Sequence, residues 1–584
     1  MGKMTEKPMV RRTAAVTAAL LTAAALLRSL FVGLEIDEEY ALSLGFRLVS
    51  GDRLFETMWE PHQLSALTAA PLVALFLAVT GTTTGLLLFV RVVMLALKAA
   101  LSFWFYRSLR GALGRPAAWI GALLLLAFTP KWFLGPDYVS QQFHYTLAAF
   151  LCWYGYYAPG PRQYRTPARV AAGAVCACLS FLAYPQSVAA APVFLLGMVL
   201  LGRRGGEPRL GPVPRGALVF AGSCAVCGVA FLLWVLQGMD FDPGAFLQRV
   251  QLVLEDPQYD FTPAQRAQVL LSQTVTMLRF MAWPGLAAVV VTALSCLGGR
   301  PAPARLAERL LWVFVACLAL RCTQYGLQDE NLDFRHMYLA ATVAGGVTFW
   351  LDRRCGEGRP ARTLLFWLGW LPGVAAYLMI LRSTLTSLPT TFMYLFWPAL
   401  CSVAALALRR PAVRLLPLAV LGTLLLYLVA CRLWLVQTVG WKPADITDTP
   451  LVQIENGPAK GIWADQKAAD MQECLYEALQ PYGGKQLLQA IGEQHGLGFL
   501  MADGTLKVAQ ASVISGTDSD PRFEEYYTLM PDKLPDVILY DDAEVRDMDA
   551  FHAWLEEHFA ITDRYTVLHG TASLQVLVVD GWAE

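Results

Sequence analysis

The sequence predicts a polytopic α-helical membrane protein of about thirteen spans, followed by a small C-terminal α/β domain held outside the membrane. Three observations carry this. The chain of 584 residues is 56% hydrophobic and only 16% charged. Apolar stretches of roughly 17–24 residues recur along it, the length that crosses ~30 Å of hydrocarbon. The formal net charge of zero conceals a segregation in which Arg gathers in some loops and Asp and Glu in others, and that segregation sets the topology.

The expected spans are 14–34, 86–107, 117–134, 141–158, 168–184, 186–201, 214–237, 276–297, 309–325, 336–351, 363–382, 388–408 and 414–434. With this set the cations fall on one side. Lys3, Lys7, Arg11 and Arg12 precede the first span, Arg110 and Arg115 follow the second, and Arg162, Arg165 and Arg169 follow the fourth. Arg203, Arg204, Arg209 and Arg215, then Arg300 and Arg305, then Arg353, Arg354, Arg359 and Arg362, then Arg409, Arg410 and Arg414 continue the alternation. The opposite loops carry Asp240, Asp242, Glu255, Asp256 and Asp260, or Asp329, Glu330 and Asp333. If the short apolar segment 64–80 also crossed, every later loop would change side, so it reads as a helix lying on the outer face. The N-terminus is then cytoplasmic and the C-terminus outside. The first span has a longer apolar core than a signal peptide and no convincing small-residue cleavage site after it, so it reads as a retained span.

All of the twelve Cys except Cys474 lie within or beside the apolar part, where a small polarizable side chain packs well. Cys224 and Cys227 have zinc-like spacing but no second pair or His beside them, and no metal knuckle is expected there. From about Gly440 the apolar runs shorten and acids outnumber bases, which divides the chain into a membrane part, 1–436, and an outer domain, 437–584. In the latter, 467–480 and 485–495 have helical spacing, PDVILY at 535–540 reads as a buried strand, FHAWLEEHF at 551–559 as a helix and SLQVLVVD at 573–580 as a final strand. Asp541 and Asp542 follow a strand, where acids are more often solvated than functional.

The first outer loop, 35–85, is the most informative stretch. It opens with Ile36-Asp37-Glu38-Glu39-Tyr40. Tyr40, Leu42, Leu44 and Leu48 form an amphipathic face that would rest on the interface and hold the acids at a fixed height. Gly51-Asp52 ends that helix, and Glu60-Pro61-His62-Gln63 begins the next. A first span, Asp-Glu-x-Tyr, an amphipathic helix, a Ser-Gly-Asp turn, an aromatic-Glu-Pro-His element, a second surface helix and Arg91 early in the next span follow one another in an order that resembles the membrane glycosyltransferases of the GT-C superfamily. The pattern is most similar to their protein mannosyltransferase-like and aminoarabinose transferase-like branches. It is specific over 14–115, architectural to about 434 and weak over the tail.

The resemblance implies an integral membrane glycosyltransferase that moves a sugar from a polyprenyl-phosphate-linked donor to a lipid, glycan or protein acceptor at the outer face. Asp37 matches the family's acidic position, with Glu38 beside it. One carboxylate near the interface suffices to deprotonate or orient an acceptor that attacks the anomeric carbon. Glu39 is then expected to be solvated. Arg335, where an outer loop enters a span, resembles the family's late Arg-Tyr element and would hold the carrier phosphate through its planar guanidinium; a salt bridge to Asp329 or Asp333 is the structural alternative. Tyr40, Glu60, His62, Gln63 and Asp137 are the remaining candidate substrate-binding positions, with Tyr184 at the next outer turn. Glu60 stands where some branches have a basic residue, which counts against a phosphate contact there. Asp240-Phe241-Asp242 has metal-binding spacing, and metal dependence stays open, with no cofactor implied. The alternative function is a transporter or flippase of lipid-linked saccharides, for which Arg91, Arg279 and Arg321 would mark a pathway. No internal inverted repeat is evident to support it. A multi-pass protein of a bacterial cell membrane is expected, with no nucleic-acid partner.

Overall fold

The computed structural model describes residues 8–159, 166–255, 261–297, 302–328, 334–355, 360–408, 415–438, 443–490, 496–513, 522–541 and 548–582. Expectations resting on Lys3, Lys7, Arg162, Arg165, Asp256, Asp260, Arg300, Asp329, Glu330, Asp333, Arg359, Arg409, Arg410, Arg414, 491–495 and Asp542 lie outside the described residues.

Each expected span overlaps a helix, although the third, 117–134, is helical only as far as Ala127. The first seven helices carry the site: α1 Pro8–Phe31, α2 Ile36–Val49, α3 Ala66–Thr80, α4 Leu86–Leu113, α5 Arg115–Ala127, α6 Tyr138–Tyr157 and α7 Pro167–Ala183. The bundle continues through Ala190–Arg204, Arg215–Gln237, Pro263–Ser295, Pro303–Gln328, His336–Cys355, the segment from Pro360 to Arg382, the segment from Leu388 to Ala407, and Leu415–Trp434. Among the described residues ten helical segments are long and apolar enough to cross a bilayer, and Arg115–Ala127 and Pro167–Ala183 are shorter apolar helices. The chain is a multi-pass membrane protein.

The segment Gln63–Thr80 meets the length and hydropathy of a span, yet both of its ends touch the C-terminal region. At one end the Glu60 carboxylate accepts from the backbone N–H of Val513 at 2.9 Å. At the other, Thr82 Oγ1 donates to Asp503 at 2.7 Å and Thr83 Oγ1 to the Leu500 carbonyl at 2.5 Å. A crossing helix of this length would separate its ends by about 27 Å along the membrane normal; this one keeps both against the same region. α3 packs on α2 through Gly45, where a Cβ would come within 2.8 Å of the Ala69 Cβ. That closeness is what a residue without a side chain provides.

The C-terminal region holds a five-stranded sheet. Its strands are β1 Gln486–Ala490, β2 Lys507–Val508, β3 Val537–Tyr540, β4 Phe559–His569 and β5 Ala572–Trp582, in the order β4-β5-β3-β1-β2. β1 runs parallel to β2 and β3, and β5 is antiparallel to β3 and β4. The helices Gln466–Leu479 and Met548–His558 match their expectations, as do β3 and β5. Residues 486–490 are a strand where helical spacing was expected. The run LLQA is too short for its period to decide, and pairing on both sides settles it. β4 is an additional strand whose mixed polar and apolar residues gave no clear alternation.

The apolar core of this region is shared with the first loop. Leu34, Tyr40, Leu42, Leu44 and Phe46 pack in one cluster with Ile454, Leu475, Leu497, Phe499 and Met501. α2 is therefore not a half-exposed interfacial helix: every residue from Ile36 to Arg47 is buried. The face of Tyr40, Leu42 and Leu44 that was expected to rest on the membrane interface packs on the C-terminal region instead.

Candidate functional site

α2 starts where Glu35, in extended conformation, accepts a hydrogen bond from the Asp37 N–H at 2.8 Å through its side chain. That cap, with three acids in the first turn, suits the positive end of the helix dipole. Successive residues of a helix point about 100° apart, so Asp37, Glu38 and Glu39 enter three different environments.

Glu38 faces α4. Arg91 grips it bidentately, Nε at 2.8 Å and Nη2 at 2.5 Å, and donates to the carbonyls of Leu30 and Gly33 as well. The pair is buried on both sides and ties the ends of α1, α2 and α4 together. Glu39 faces the C-terminal region. It is fully buried, accepts from the Leu497 N–H at 3.3 Å and Gln472 Nε2 at 3.4 Å, and loss of water pushes its pKa up to about 8. The expectation of a solvated Glu39 is thus corrected: cover arrives from residues far along the chain.

The sign of the pH effect follows. A carboxyl whose pKa rises on folding contributes stability in its protonated form, and that contribution is lost as pH climbs from the ordinary carboxylate range through about 8. Glu39→Gln should therefore flatten this part of the profile. Thermal melts should show a variant more stable than wild type at pH 8.5 and equal to it near pH 4.5; parallel curves would mean that Glu39 is hydrated.

Asp37 points into a cluster built by α6 and the turn before it. Lys131 Nζ pairs with Asp37 Oδ2, donates to the Tyr138 hydroxyl at 2.7 Å and sits 4.2 Å above the Tyr138 ring centre. His62 stacks on Tyr138 at 3.7 Å, and Tyr184 lies within 5.5 Å of both rings. Burial holds His62 neutral, its pKa lowered to about 3, with nearby Lys131 acting in the same direction. Asp137 caps α6 through the N–H groups of Val139 and Ser140, and burial raises its pKa to about 6 despite Lys131 nearby. Burial also raises Glu35 well above the usual range, with Asp37 adding repulsion.

The next residue in the chain, Trp132, has φ of 72°, a backbone conformation strained for a bulky side chain. Its ring lies 6.0 Å from the Arg335 guanidinium and 5.7 Å from that of Arg432. Arg432 donates to Ser29 Oγ at 2.8 Å, while Arg28 donates to the carbonyls of Arg432 and Leu435. Among the described residues no carboxylate pairs with Arg28 or Arg432, and Arg432 Nε and Nη2 and Trp132 Nε1 meet no hydrogen-bond partner. Buried guanidinium donors in this condition have the chemistry to accept an anion.

Of the sequence candidates, the fold brings Asp37, His62 and Asp137 together, and places Arg335 at Trp132. Glu60 and Tyr40 belong instead to a clamp on the far side of α2. There Arg47 donates to Asp52 (2.7 Å), Glu60 (2.9 Å) and the carbonyls of Thr57, Gln510 and Ala511, while Ser512 Oγ donates to Glu60 and Tyr40 lies beside it. Gln63 accepts from the Phe55 N–H at 2.7 Å. Asp242 caps the exposed helix Pro243–Leu254, and Asp541 is buried at the end of β3. Sequence reasoning missed Lys131, Tyr138, Trp132 and Arg432. Lys131 and Arg432 carried the signal that marked Arg335, a cation at a span end otherwise poor in Arg.

No protein-family model and no curated relative matches the sequence. Among solved structures the chain is similar to ArnT from Cupriavidus metallidurans bound to undecaprenyl phosphate, at 14% identity over 96% of this chain and 97% of that one, with a TM-score of 0.41. It is also similar to the oligosaccharyltransferase AglB from Archaeoglobus fulgidus in complex with an inhibitory peptide and a dolichol-phosphate, at 13% identity over 97% of this chain and 74% of that one, with a TM-score of 0.40. Likeness at this level assigns neither an activity nor a ligand to this chain.

Proposed function

We propose that this protein is a membrane glycosyltransferase that takes a sugar from a polyprenyl-phosphate donor and passes it to a hydroxyl or amine acceptor at the outer face. One observation carries the reading. The adjacent residues Lys131 and Trp132 join a buried carboxylate, Asp37, to two guanidinium groups, Arg335 and Arg432, that both lie at the Trp132 ring, and Arg432 pairs with no carboxylate among the described residues. Group transfer from a phosphate needs both, a base for the acceptor and cations for the leaving group. The acceptor oxygen or nitrogen attacks the anomeric carbon and its proton goes to Asp37. The bond from that carbon to the phosphate oxygen breaks, and the electron pair leaves on the carrier phosphate, which Arg335 and Arg432 hold. Glu38, Glu60, Tyr40 and Gln63 shape the loop, with Glu38 locked on Arg91. In this reading residues 437–584 lie outside, the N-terminus is cytoplasmic and the membrane is the bacterial plasma membrane.

The purified chain in lipid nanodiscs, given synthetic undecaprenyl-phosphate hexoses and pentoses, should release undecaprenyl phosphate in the presence of membrane-extract acceptors. No release with any donor refutes the reading. Arg335→Lys and Arg432→Lys should each raise the donor KM roughly ten- to a hundredfold, the loss of about 1.5–3 kcal/mol for a charge-assisted bond, since an ammonium cannot reproduce the fork. An unchanged donor KM removes that residue from the pocket.

The topology has its own test. In a Cys-free background, single Cys at Thr80 and Gln480 should react with an impermeant thiol reagent from outside, and Cys at Gly111 and Arg204 should not. Labelling at Arg204 from outside would mean that α3 crosses the membrane.

A further inference from the structure

In the Asp37 cluster Lys131 pairs with Asp37, and Glu35 and Asp137 lie near enough to feel the charge of the same ammonium. Glu35 and Asp37 are each 2% exposed and Asp137 0%, and Lys131 is the cation that opposes Glu35 and Asp137 and pairs with Asp37. Its position is fixed from several directions: by Asp37, by the Tyr138 hydroxyl, and by the Tyr138 ring face that His62 backs. His62 is neutral and adds no second charge. Burial displaces Glu35 toward its protonated form and raises the Asp137 pKa to about 6, and Lys131, paired with Asp37, supplies the positive charge that opposes both. A divalent ion takes several oxygen ligands at about 2.0–2.6 Å; to reach Asp37 here it would first have to displace an ammonium already hydrogen-bonded to it.

We propose that Lys131 is the built-in cation of the site, a positioning residue that aims the Asp37 carboxylate at the acceptor and replaces a bound divalent metal, so that transfer runs metal-free. The inference rests on the glycosyltransferase reading for its catalytic part. The ion pair itself is testable without it.

The activity test uses the full chain in nanodiscs with the synthetic undecaprenyl-phosphate donor that supports release. Wild-type turnover should be unchanged by EDTA. Lys131→Met should lower kcat about a hundredfold with donor and acceptor KM within twofold, and Lys131→Arg should restore most of the loss. A turnover abolished by EDTA and restored by Mg²⁺ or Mn²⁺ overturns the proposal. So does a tenfold rise in donor KM at normal kcat, which would make Lys131 a phosphate ligand instead. The second test needs no activity: thermal melts of wild type, Lys131→Met, Asp37→Asn and the double variant. The double variant should melt above Lys131→Met alone, because removing the carboxylate relieves the unpaired charge. Strictly additive melts overturn the ion pair, whereas coupled melts in a chain that transfers no sugar would leave the pair standing and remove only the glycosyltransferase reading.

Discussion

Asp37→Asn should lower turnover by roughly 10²–10⁴-fold, the range for loss of a general base, while the protein still expresses and binds donor much as wild type does. The amide keeps the size of the side chain and can still meet Lys131 through its oxygen, so the loop has no reason to rearrange. Proton acceptance is lost, together with the charge that Lys131 pairs with, so the melting temperature should fall. Release of undecaprenyl phosphate at saturating donor is the measurement, with donor KM as the control. Full activity in a well-folded Asp37→Asn variant would end the role proposed for this residue. Full activity in an Asp37→Asn, Glu38→Gln double variant would end the idea of an acidic site in the first loop. Because Glu38 is gripped by Arg91, Glu38→Gln alone should show itself first as lower stability.

Arg47→Ala should cause the largest loss of stability, about 3–5 kcal/mol, the cost of breaking a buried ion pair from one side. The guanidinium is fully buried and donates to two carboxylates and three carbonyls. Its removal leaves Glu60 with hydrogen bonds but no cation, although Asp52 keeps Lys533. Burial already raises the Glu60 pKa, and without Arg47 it should be raised further. Arg47→Met with Glu60→Gln should recover part of the loss, since both charges go together. Thermal melts of the four combinations measure this; an Arg47→Ala variant as stable as wild type would mean that water enters the clamp.

The membrane helices were legible because a bilayer imposes one length and one composition on every crossing. Within the site, Asp37 and Arg335 could be read by pattern, and Lys131 and Arg432 were readable in principle, each a cation on the acid-rich side. What could not be read was the fate of Glu39, Glu60 and Tyr40. Their surroundings come from Gln472, Leu497 and Ser512, more than four hundred residues away, and no local period encodes a contact of that separation. The strand at 486–490 escaped for a related reason: its pairing with 507–508 and 537–540, not its own sequence, makes it extended.

Gly496 rests directly on the Glu39 backbone, where a Cβ would meet the carbonyl carbon at 2.8 Å, and this contact has a consequence for how the protein is made. The loop that bears Asp37 leaves the ribosome early, but the residues that enclose its first turn follow hundreds of positions later. Until they arrive, Glu39 has water as its partner and Arg47 lacks the Gln510 and Ala511 carbonyls. Contacts so distant in sequence form last and slowly. A nascent chain halted before residue 496 would thus be inserted in the membrane with the first turn of α2 uncovered, and the surroundings of Glu39 and Arg47 are completed only after translation has passed the segment that closes over them.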